Sequence, residues 1–323
     1  MLEAESHSYD LTQRLRSILR LKADASCIER ISARCSLTRA ICTELFSTRL
    51  EDDTIIKTVR DLDFSAILKP GDTFQVRITR KRIKRGVLDT LRLEREIGEA
   101  ILSHTSGARV DLRRPHTTFL GAATRGRFFL GIQRAEMPAK PYIARSPRKR
   151  RFFHPSMMQP KFARCMDNLS RIRRRELLLD PFCGGGGILT EAALIGCRTA
   201  GSDIDRRMIK GCTANIKELK SDGSDLVLAD ARRLPYSRAD AVATDPPYGR
   251  LSSTKGQETR ALVESSLESI SSILPKNRYV CIALPSDINI QKAAERNSFK
   301  MEERHLVYVH RSLTRAITVL KRI

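Results

Sequence analysis

Several absences narrow the reading before any motif is considered. No uninterrupted apolar run of about eighteen residues occurs in the 323-residue chain, so a membrane-spanning helix is not expected. The first residues, Met1-Leu2-Glu3-Ala4-Glu5, lack the apolar core of a secretory signal, which leads us to expect a cytoplasmic protein. Eight cysteines are present, yet no two form a C-x-x-C pair and none stands at metal-ligand spacing from a histidine. A structural zinc site, or any other bound metal, is therefore not expected. Cys281 between Val280 and Ile282 reads instead as a small buried hydrophobe in a reducing compartment. Neither internal repeats nor low-complexity tracts are found. At this length the chain is comfortable for two domains.

Acidic residues are scarce relative to basic ones: 37 against 59, a net charge of +22. The surplus is spread along the chain. Residues 1–150 hold 30 Lys/Arg and 18 Asp/Glu, and residues 151–323 hold 29 and 19. Both halves could face one large polyanion, and nucleic acid is the expected partner. Binding of that kind gains from counterion release and weakens steeply with salt.

The clearest boundary is Pro138 to Arg151, with three prolines and six basic residues, and no acid follows Glu136 until Asp167. It reads as an extended basic linker, because prolines disfavour helix and sheet interiors. Before it, residues 73–80 alternate apolar and polar, predicting a half-buried strand. Leu91, Leu93, Ile97, Ile101 and Leu102 predict a helix over 90–104. Strands are expected over 110–113, 117–122 and 128–132, giving a small α+β domain. In the first sixty residues, Leu15, Ile18 and Leu19, then Leu37, Ile41 and Leu45, suggest two helices. After the linker the rhythm becomes strand–helix alternation, with strands expected at 177–180, 199–203, 226–230, 241–245 and 279–284. This pattern predicts a doubly wound parallel sheet. Segments 306–309 and 316–320 are too close to do anything but pair as a hairpin, which adds an antiparallel strand.

Four of the parallel strands end in aspartate: Asp180, Asp203, Asp230 and Asp245. Ligands of such sheets bind beyond the carboxyl ends of the strands. Four carboxylates there suit a cationic cofactor carrying hydroxyls and an amine. The first strand runs into DPFCGGGG, from Asp180 to Gly187, where glycines permit a sharp turn and close approach of a ligand. No Lys-Ser/Thr follows, which excludes a Walker loop, and Glu191 would repel a pyrophosphate. Asp203, 23 residues after Asp180, is spaced to accept both hydroxyls of a ribose. Asp230, before Ala231, could take an adenine amine. Taken singly, Asp203 or Asp230 could equally be a helix N-cap.

The most specific signal follows the fourth strand: Asp245-Pro246-Pro247-Tyr248-Gly249-Arg250. The exocyclic amine of a base is a poor nucleophile, its lone pair being delocalised into the ring. Asp245 can accept a hydrogen bond from that amine, with the Pro246 carbonyl as second acceptor. Both bonds strengthen as positive charge develops on nitrogen, so they act preferentially in the transition state. Tyr248 can stack on an extruded base, a contact worth about 1–3 kcal/mol.

With these residues in view, 152–323 resembles a class I, Rossmann-like methyltransferase of the amino-methylating group. DPFCGGGG is similar to its glycine motif, SDID to its acidic second-strand motif and DPPYG to its catalytic motif, while FFHPSMM (152–158) resembles the segment that closes over methionine. The resemblance implies S-adenosylmethionine as cofactor. It implies binding by His154, Pro155, Asp180, Phe182, Cys183, Gly184, Gly186, Asp203, Ile204, Asp230, Ala231 and Asp245, and catalysis by Asp245, Pro246 and Tyr248. Residues 61–137 resemble a THUMP RNA-binding domain, carried by TFQVRITR, LEREIG and VDLRRP in order. The whole is similar to the archaeal tRNA guanosine-10 N2-methyltransferase family. The fold expected is therefore α/β, a class I domain (152–323) with a C-terminal antiparallel hairpin. It follows a ferredoxin-like segment (1–60), the THUMP domain (61–137) and the basic linker (138–151). Gly185 departs from the family, which usually has a threonine there. The resemblance implies tRNA as partner and no membrane, with the chain monomeric on the catalytic side; it allows a small activating subunit.

The expected reaction is methyl transfer to N2 of guanosine-10 in tRNA, once or twice. Alternatives are an N2-methyltransferase for another tRNA position, an adenine-N6 or cytosine-N4 aminomethyltransferase of DNA or RNA, and a catalytically silent RNA-binding adaptor. His154 alone reads more readily as a turn residue than as a base. Cys183 reads poorly as a nucleophile, since enzymes methylating carbon-5 of pyrimidines place theirs where this chain has DPPY. The basic clusters from Arg80 to Arg85 and from Arg171 to Arg175 are candidate phosphate grips.

Overall fold

The computed structural model describes residues 9–15, 17–81, 83, 88–124, 126–219, 224–248, 253–311 and 313–323, with backbone alone over 253–257. Arg82, Lys84 and Arg85 of the first basic cluster, and the Gly249-Arg250 end of the DPPYGR motif, lie outside these residues. The chain divides into two compact units. One comprises Asp10–Ser32 and Thr38–Met137; the other is chiefly Pro138–Ile323 together with Ala33–Leu37.

The first unit opens with a two-stranded sheet, β1 (Tyr9–Leu15) and β2 (Ile18–Ala23), and α1 (Cys27–Arg34). There follow β3 (Ala40–Arg49), α2 (Asp52–Arg60), β4 (Thr73–Arg80), α3 (Thr90–Ser103), β5 (Arg109–Val110), β6 (Thr117–Thr124) and β7 (Arg127–Glu136). The five strands β3 to β7 form one sheet in the order β3-β7-β6-β4-β5. The strand expected at 73–80 forms with Phe74, Val76 and Ile78 buried, as alternation requires. The helix expected at 90–104 forms as α3. Asp89 caps it by accepting the Arg92 N–H at 3.1 Å, and Leu93, Ile97 and Ile101 face the core. Phe119 meets Phe64 and Phe74 edge-on at ring-centroid distances of 5.5 and 5.8 Å.

Two expectations fail in this unit. The apolar spacing before residue 60 does not mark helices there: Leu15 ends β1, Ile18 and Leu19 begin β2, and Ile41 and Leu45 belong to β3. The β3–β7 ladder shifts register between Ile41 and Cys42 and again between Glu44 and Phe46. Each bulge changes the phase of the alternation, so a strand mimics helical spacing. The strand expected at 110–113 stops at Val110, because the Asp111 carboxylate accepts the N–H groups of Arg113 and Arg114 at 2.8 and 3.0 Å and turns the chain.

The second unit begins with α4 (Lys140–Ala144) and a 3-10 turn at Pro147–Lys149, then α5 (Pro160–Leu169), β8 (Leu177–Asp180), α6 (Gly187–Leu194), β9 (Arg198–Asp203) and α7 (Arg206–Lys217). It continues with β10 (Ser224–Leu228), β11 (Ala241–Thr244), α8 (Ser253–Ile273), β12 (Tyr279–Pro285), α9 (Gln291–Arg296), β13 (Phe299–His310) and β14 (Leu313–Arg322). The sheet order is β10-β9-β8-β11-β12-β14-β13. The first five strands are parallel and β14 runs antiparallel between β12 and β13, as the hairpin reading anticipated. Successive strand residues serve opposite faces. Leu178, Ala241, Ala243, Cys281 and Ala283 pack with Met166 of α5, Leu189 of α6 and Cys212 of α7. Leu179, Val242, Val280 and Ile282 pack with Val263, Leu267 and Ile270 of α8. Burial on both faces is why these strands read as continuous apolar runs.

Residues 138–151 are not extended chain. Pro141 sits in the first turn of α4, where a missing N–H costs nothing. The Arg145 guanidinium donates to both oxygens of Glu191 at 2.8 and 3.0 Å, and Arg150 donates to Thr190 Oγ1 at 2.6 Å. Arg164 reaches the same Glu191 at 2.9 Å. Glu191 is thus enclosed by two guanidiniums and does not face a ligand as an open charge, contrary to the sequence argument about pyrophosphate.

Candidate active site

The carboxyl ends of β8, β9 and β11 meet around the glycine loop. Asp180, buried, accepts the Thr244 hydroxyl at 2.7 Å and the Phe182 N–H at 3.1 Å, tying the end of β8 to the end of β11. Burial pushes its carboxyl up to about 7, opposed by those two hydrogen bonds and assisted by the charges of Asp245 and Asp203. Asp203 accepts the N–H of Gly184 at 3.0 Å and of Asp205 at 2.9 Å, one on each oxygen. The helix-cap reading of Asp203 does not hold: α7 is capped by Asp205, which accepts the Arg207 N–H at 2.7 Å. Ile204, the next residue, presents its side chain to solvent at 72% exposure. The end of β10 joins the same edge through the Ala229 N–H, which donates to the Asp203 carbonyl at 3.1 Å. Asp230 lies beyond β10, not within it, and its carboxylate is occupied by the backbone and guanidinium of Arg232. Arg232 is exposed and Asp230 half-buried.

The loop conformation rests on Gly184 and Gly186, with φ of 50° and 79°. A side chain at Gly184 would point into open space. One at Gly186 would meet the Cys212 sulfur at 2.6 Å, and one at Gly185 would meet the Met157 sulfur at 2.7 Å. The Met157 thioether thus fills the space beside Gly185 that a side chain there would enter. The 152–158 segment is held against the loop by Asn215, whose amide donates to the carbonyls of Phe152 and Gly185 at 3.0 and 2.8 Å. Within it His154 bonds Ser156 at 2.6 Å, the turn geometry expected of it, and Pro155 is exposed. Gly186→Ala should lower stability by about 1–3 kcal/mol, since a left-handed backbone and a sulfur contact both oppose it. Gly185→Ala should cost under about 1 kcal/mol, because a thioether end can move aside. Chemical denaturation of the two variants checks the order.

Asp245 follows β11 directly. One carboxylate oxygen accepts the Tyr248 hydroxyl; the other lies 3.3 Å from the Arg315 guanidinium, which also donates to the Tyr248 oxygen at 2.8 Å. Arg315 stands 5.5 Å from the Tyr248 ring centroid, within cation–π range. Burial pushes the Asp245 carboxyl up to about 6, while Arg315 and then Tyr248 hold it from going higher. Burial likewise raises the Tyr248 phenol well above its usual range. Pro246 is buried behind them. Cys183 is buried, and its hydrogen bond with Cys212 followed by desolvation raises its thiol far above the range of a reactive thiolate. Among the described residues no cluster of His, Cys, Asp or Glu could hold a metal ion, and no helix is long and apolar enough to cross a membrane.

Arg315 was not among the residues expected at the site. It lies 67 residues from Tyr248. It reaches the site because β14 is antiparallel: its start pairs with the end of β12, Arg315 opposite Pro285, at the edge where the parallel strands finish. Thr244 and Asn215 were also missed as site residues: Thr244 is marked only by the motif that follows it, and nothing local marks Asn215 within α7.

Residues 147–317 match the RMKL-like methyltransferase domain family and residues 51–133 match the THUMP domain. The latter match begins at α2, whose Ile55 and Val59 share the core of the five-stranded sheet. The chain is 37% identical to the tRNA (guanine(10)-N2)-dimethyltransferase of Methanothermobacter thermautotrophicus, over 84% of this chain and 79% of that one. It is 34% identical to the enzyme of the same name from Pyrococcus abyssi, over 83% and 79%. Mouse tRNA (guanine(10)-N(2))-methyltransferase TRMT11 is 27% identical over 38% of this chain and 32% of its own. In fold the chain is similar to TrmN of Thermus thermophilus (TM-score 0.54, 19% identity, 95% and 88% covered). It is also similar to SMU.472, solved as a complex with SAH (TM-score 0.59, 14% identity, 100% and 93% covered). On this sequence evidence the chain belongs to the tRNA (guanine(10)-N2)-dimethyltransferase family.

Proposed function

We propose that the protein transfers methyl groups from S-adenosylmethionine to the exocyclic N2 amine of guanosine-10 in tRNA. The products are N2-methylguanosine and, on the likeness to dimethyltransferases, N2,N2-dimethylguanosine. The observation that carries the reading is the Asp245 carboxylate at the end of β11, beside the glycine loop and bonded to Tyr248. We assign methyl transfer to residues 152–323 and RNA binding to the THUMP region, 61–137; residues 1–60 and 138–151 are the preceding segment and the connection.

The residues present fit the cofactor. Asp203 has spent one acceptor site per oxygen on backbone N–H groups, and further lone pairs remain for ribose hydroxyls. Exposed Ile204 offers an apolar face for adenine, with Ala231 beside Asp230 at the neighbouring strand end. Space over Gly184 lets a ligand approach the Phe182-Cys183-Gly184 backbone, and Asp180 stiffens the strand end beneath. His154 and Pro155 belong to the segment docked on the loop, on the methionine side of this assignment. When bound, S-adenosylmethionine supplies an electrophilic methyl group.

The chain's own residues prepare the amine. Asp245 accepts one N2 hydrogen, with the Pro246 carbonyl assigned the other, and the pair draws the nitrogen away from conjugation with the ring. Tyr248 stacks on the extruded base. To receive the amine, Asp245 must exchange its bond from the Tyr248 hydroxyl for one from substrate; Arg315 stays within reach to keep the carboxylate ionised. Mass spectrometry of nucleosides, after unmodified tRNA transcript is incubated with the protein and labelled cofactor, tests the reading. Label in methylated guanosine mapped to position 10 is expected, and label in adenosine or cytidine alone overturns it.

The ionised Asp245 carboxylate is the stronger acceptor for its N2 hydrogen and carries the charge that offsets the one developing on nitrogen, so the single-turnover rate should fall as pH drops through about 6 and level off above it. Asp180 and Tyr248 are the other titratable groups against this carboxylate. Arg315→Met removes the cation that favours the charged form, and its acidic limb should move to higher pH. A limb identical to wild type would show that Arg315 does not set the ionisation.

A further inference from the structure

Between Arg151-Phe152 and α7 runs an open groove of about 510 Å³ lined by Arg151, Phe152, Arg206, Arg207, Lys210, Gly211 and Ala214. Four of its seven lining residues are cations and none is acidic. Arg206, Arg207 and Lys210 are exposed, and no ion pair engages them among the described residues. Arg151 alone reaches an acid, exposed Glu218 at 3.6 Å. Like charges crowded in this way repel one another until a polyanion arrives.

The groove is also built. Its floor is the Phe152 ring lying on the backbone of Gly211, where any Cβ would come within 2.2 Å of a ring carbon. A glycine in a helix interior is unfavourable, and here it admits a flat aromatic surface. The Arg207 guanidinium stands 5.9 Å from that ring. Asn215 fixes the Phe152 backbone from both sides, accepting its N–H at 2.9 Å and donating to its carbonyl, while its amide also holds Gly185. Groove and glycine loop are therefore tied together through Asn215. Arg206 and Arg207 begin α7 just after Asp203, at the sheet edge that carries the candidate active site. Arg206 and Lys210 are one helical turn apart on the same face.

We propose that this groove carries the sugar–phosphate backbone of the RNA substrate, gripping it next to the cofactor loop; the proposal rests on the RNA-methyltransferase reading above. Arginine forks and a lysine point charge suit phosphate oxygens. The grip would be insensitive to base identity and would fix where the strand passes the loop.

The test compares the wild-type full chain with Arg206→Glu/Arg207→Glu/Lys210→Glu, using unmodified tRNA transcript over a series of salt concentrations. We expect KM for tRNA to rise about tenfold or more at low salt, with kcat changed less than about threefold. Three lost phosphate contacts should flatten the slope of log KM against log salt by roughly 3. Cofactor affinity by calorimetry should stay within about threefold. The neutral Arg206→Gln/Arg207→Gln/Lys210→Gln variant, less prone to misfold, should flatten the slope similarly. A KM and slope like wild type in both variants overturn the proposal, as does lost cofactor affinity with an unchanged KM for tRNA. Should the wild type fail to methylate the transcript, the functional reading fails by itself, and gel-shift affinity of the same transcript over the salt series then decides the groove.

Discussion

Replacing Asp245 by alanine should lower the rate constant of methyl transfer by about 10²- to 10⁴-fold while S-adenosylmethionine still binds. The range follows from what deletion of one well-placed polar group, or of a group that handles a reacting proton, removes from a transition state. Guanine N2 gains positive charge as it attacks, so an ionised acceptor binds it more tightly at the barrier than before it. Asp245 is placed for this by a short strand, a buried proline and two donors, Tyr248 and Arg315. Asp245→Asn keeps an acceptor oxygen and loses the charge, and should fall between wild type and Asp245→Ala. Because alanine strips Arg315 of its anion, circular dichroism must accompany the kinetics. Single-turnover rates within tenfold of wild type, in a folded protein that binds cofactor, would remove the carboxylate from the chemistry.

Glu191→Gln should cost about 3–5 kcal/mol of stability, the usual consequence of removing one partner from a buried ion pair. Glu191 is fully buried and takes both Arg145 and Arg164. An amide preserves shape but leaves two guanidiniums short of an anion. Asp167, the nearest alternative, is buried with neither carboxylate oxygen hydrogen-bonded among the described residues. Burial raises its carboxyl well above the usual range despite Arg164 and Arg34, which makes it a poorer substitute anion. Calorimetry should show the transition lowered by roughly 6–20 °C at 2–4 °C per kcal/mol. A shift under 2 °C would mean that Glu191 contributes shape and not charge. The effect matters for function because α6 begins at the glycine loop, and Arg145 and Arg150 bind residues 138–151 to that helix.

The two units differ in how far local sequence reveals them. In the second, β8, β11 and β12 are buried on both faces, and their unbroken apolar runs are bounded by glycine, proline and aspartate; such strands are legible one at a time. In the first, β3 carries two bulges and β1 and β2 form a small half-exposed ribbon, so hydrophobic spacing misleads. Val110 illustrates a smaller failure, in which the next side chain, Asp111, bonds the backbone and ends the strand.

By itself the sequence determined the parallel sheet, the glycine turn, the aspartates at strand ends and the D-P-P-Y acceptor, because each is specified within a few consecutive residues. Only the tertiary structure decided that Arg315 guards Asp245, that Asn215 welds Phe152 to Gly185, and that Glu191 is neutralised by Arg145 and Arg164. These partners are far apart along the chain and carry no periodic signal. Their meeting depends on the strand order, on the reversed direction of β14 and on the folding of residues 138–151 onto α6, which only long-range packing fixes.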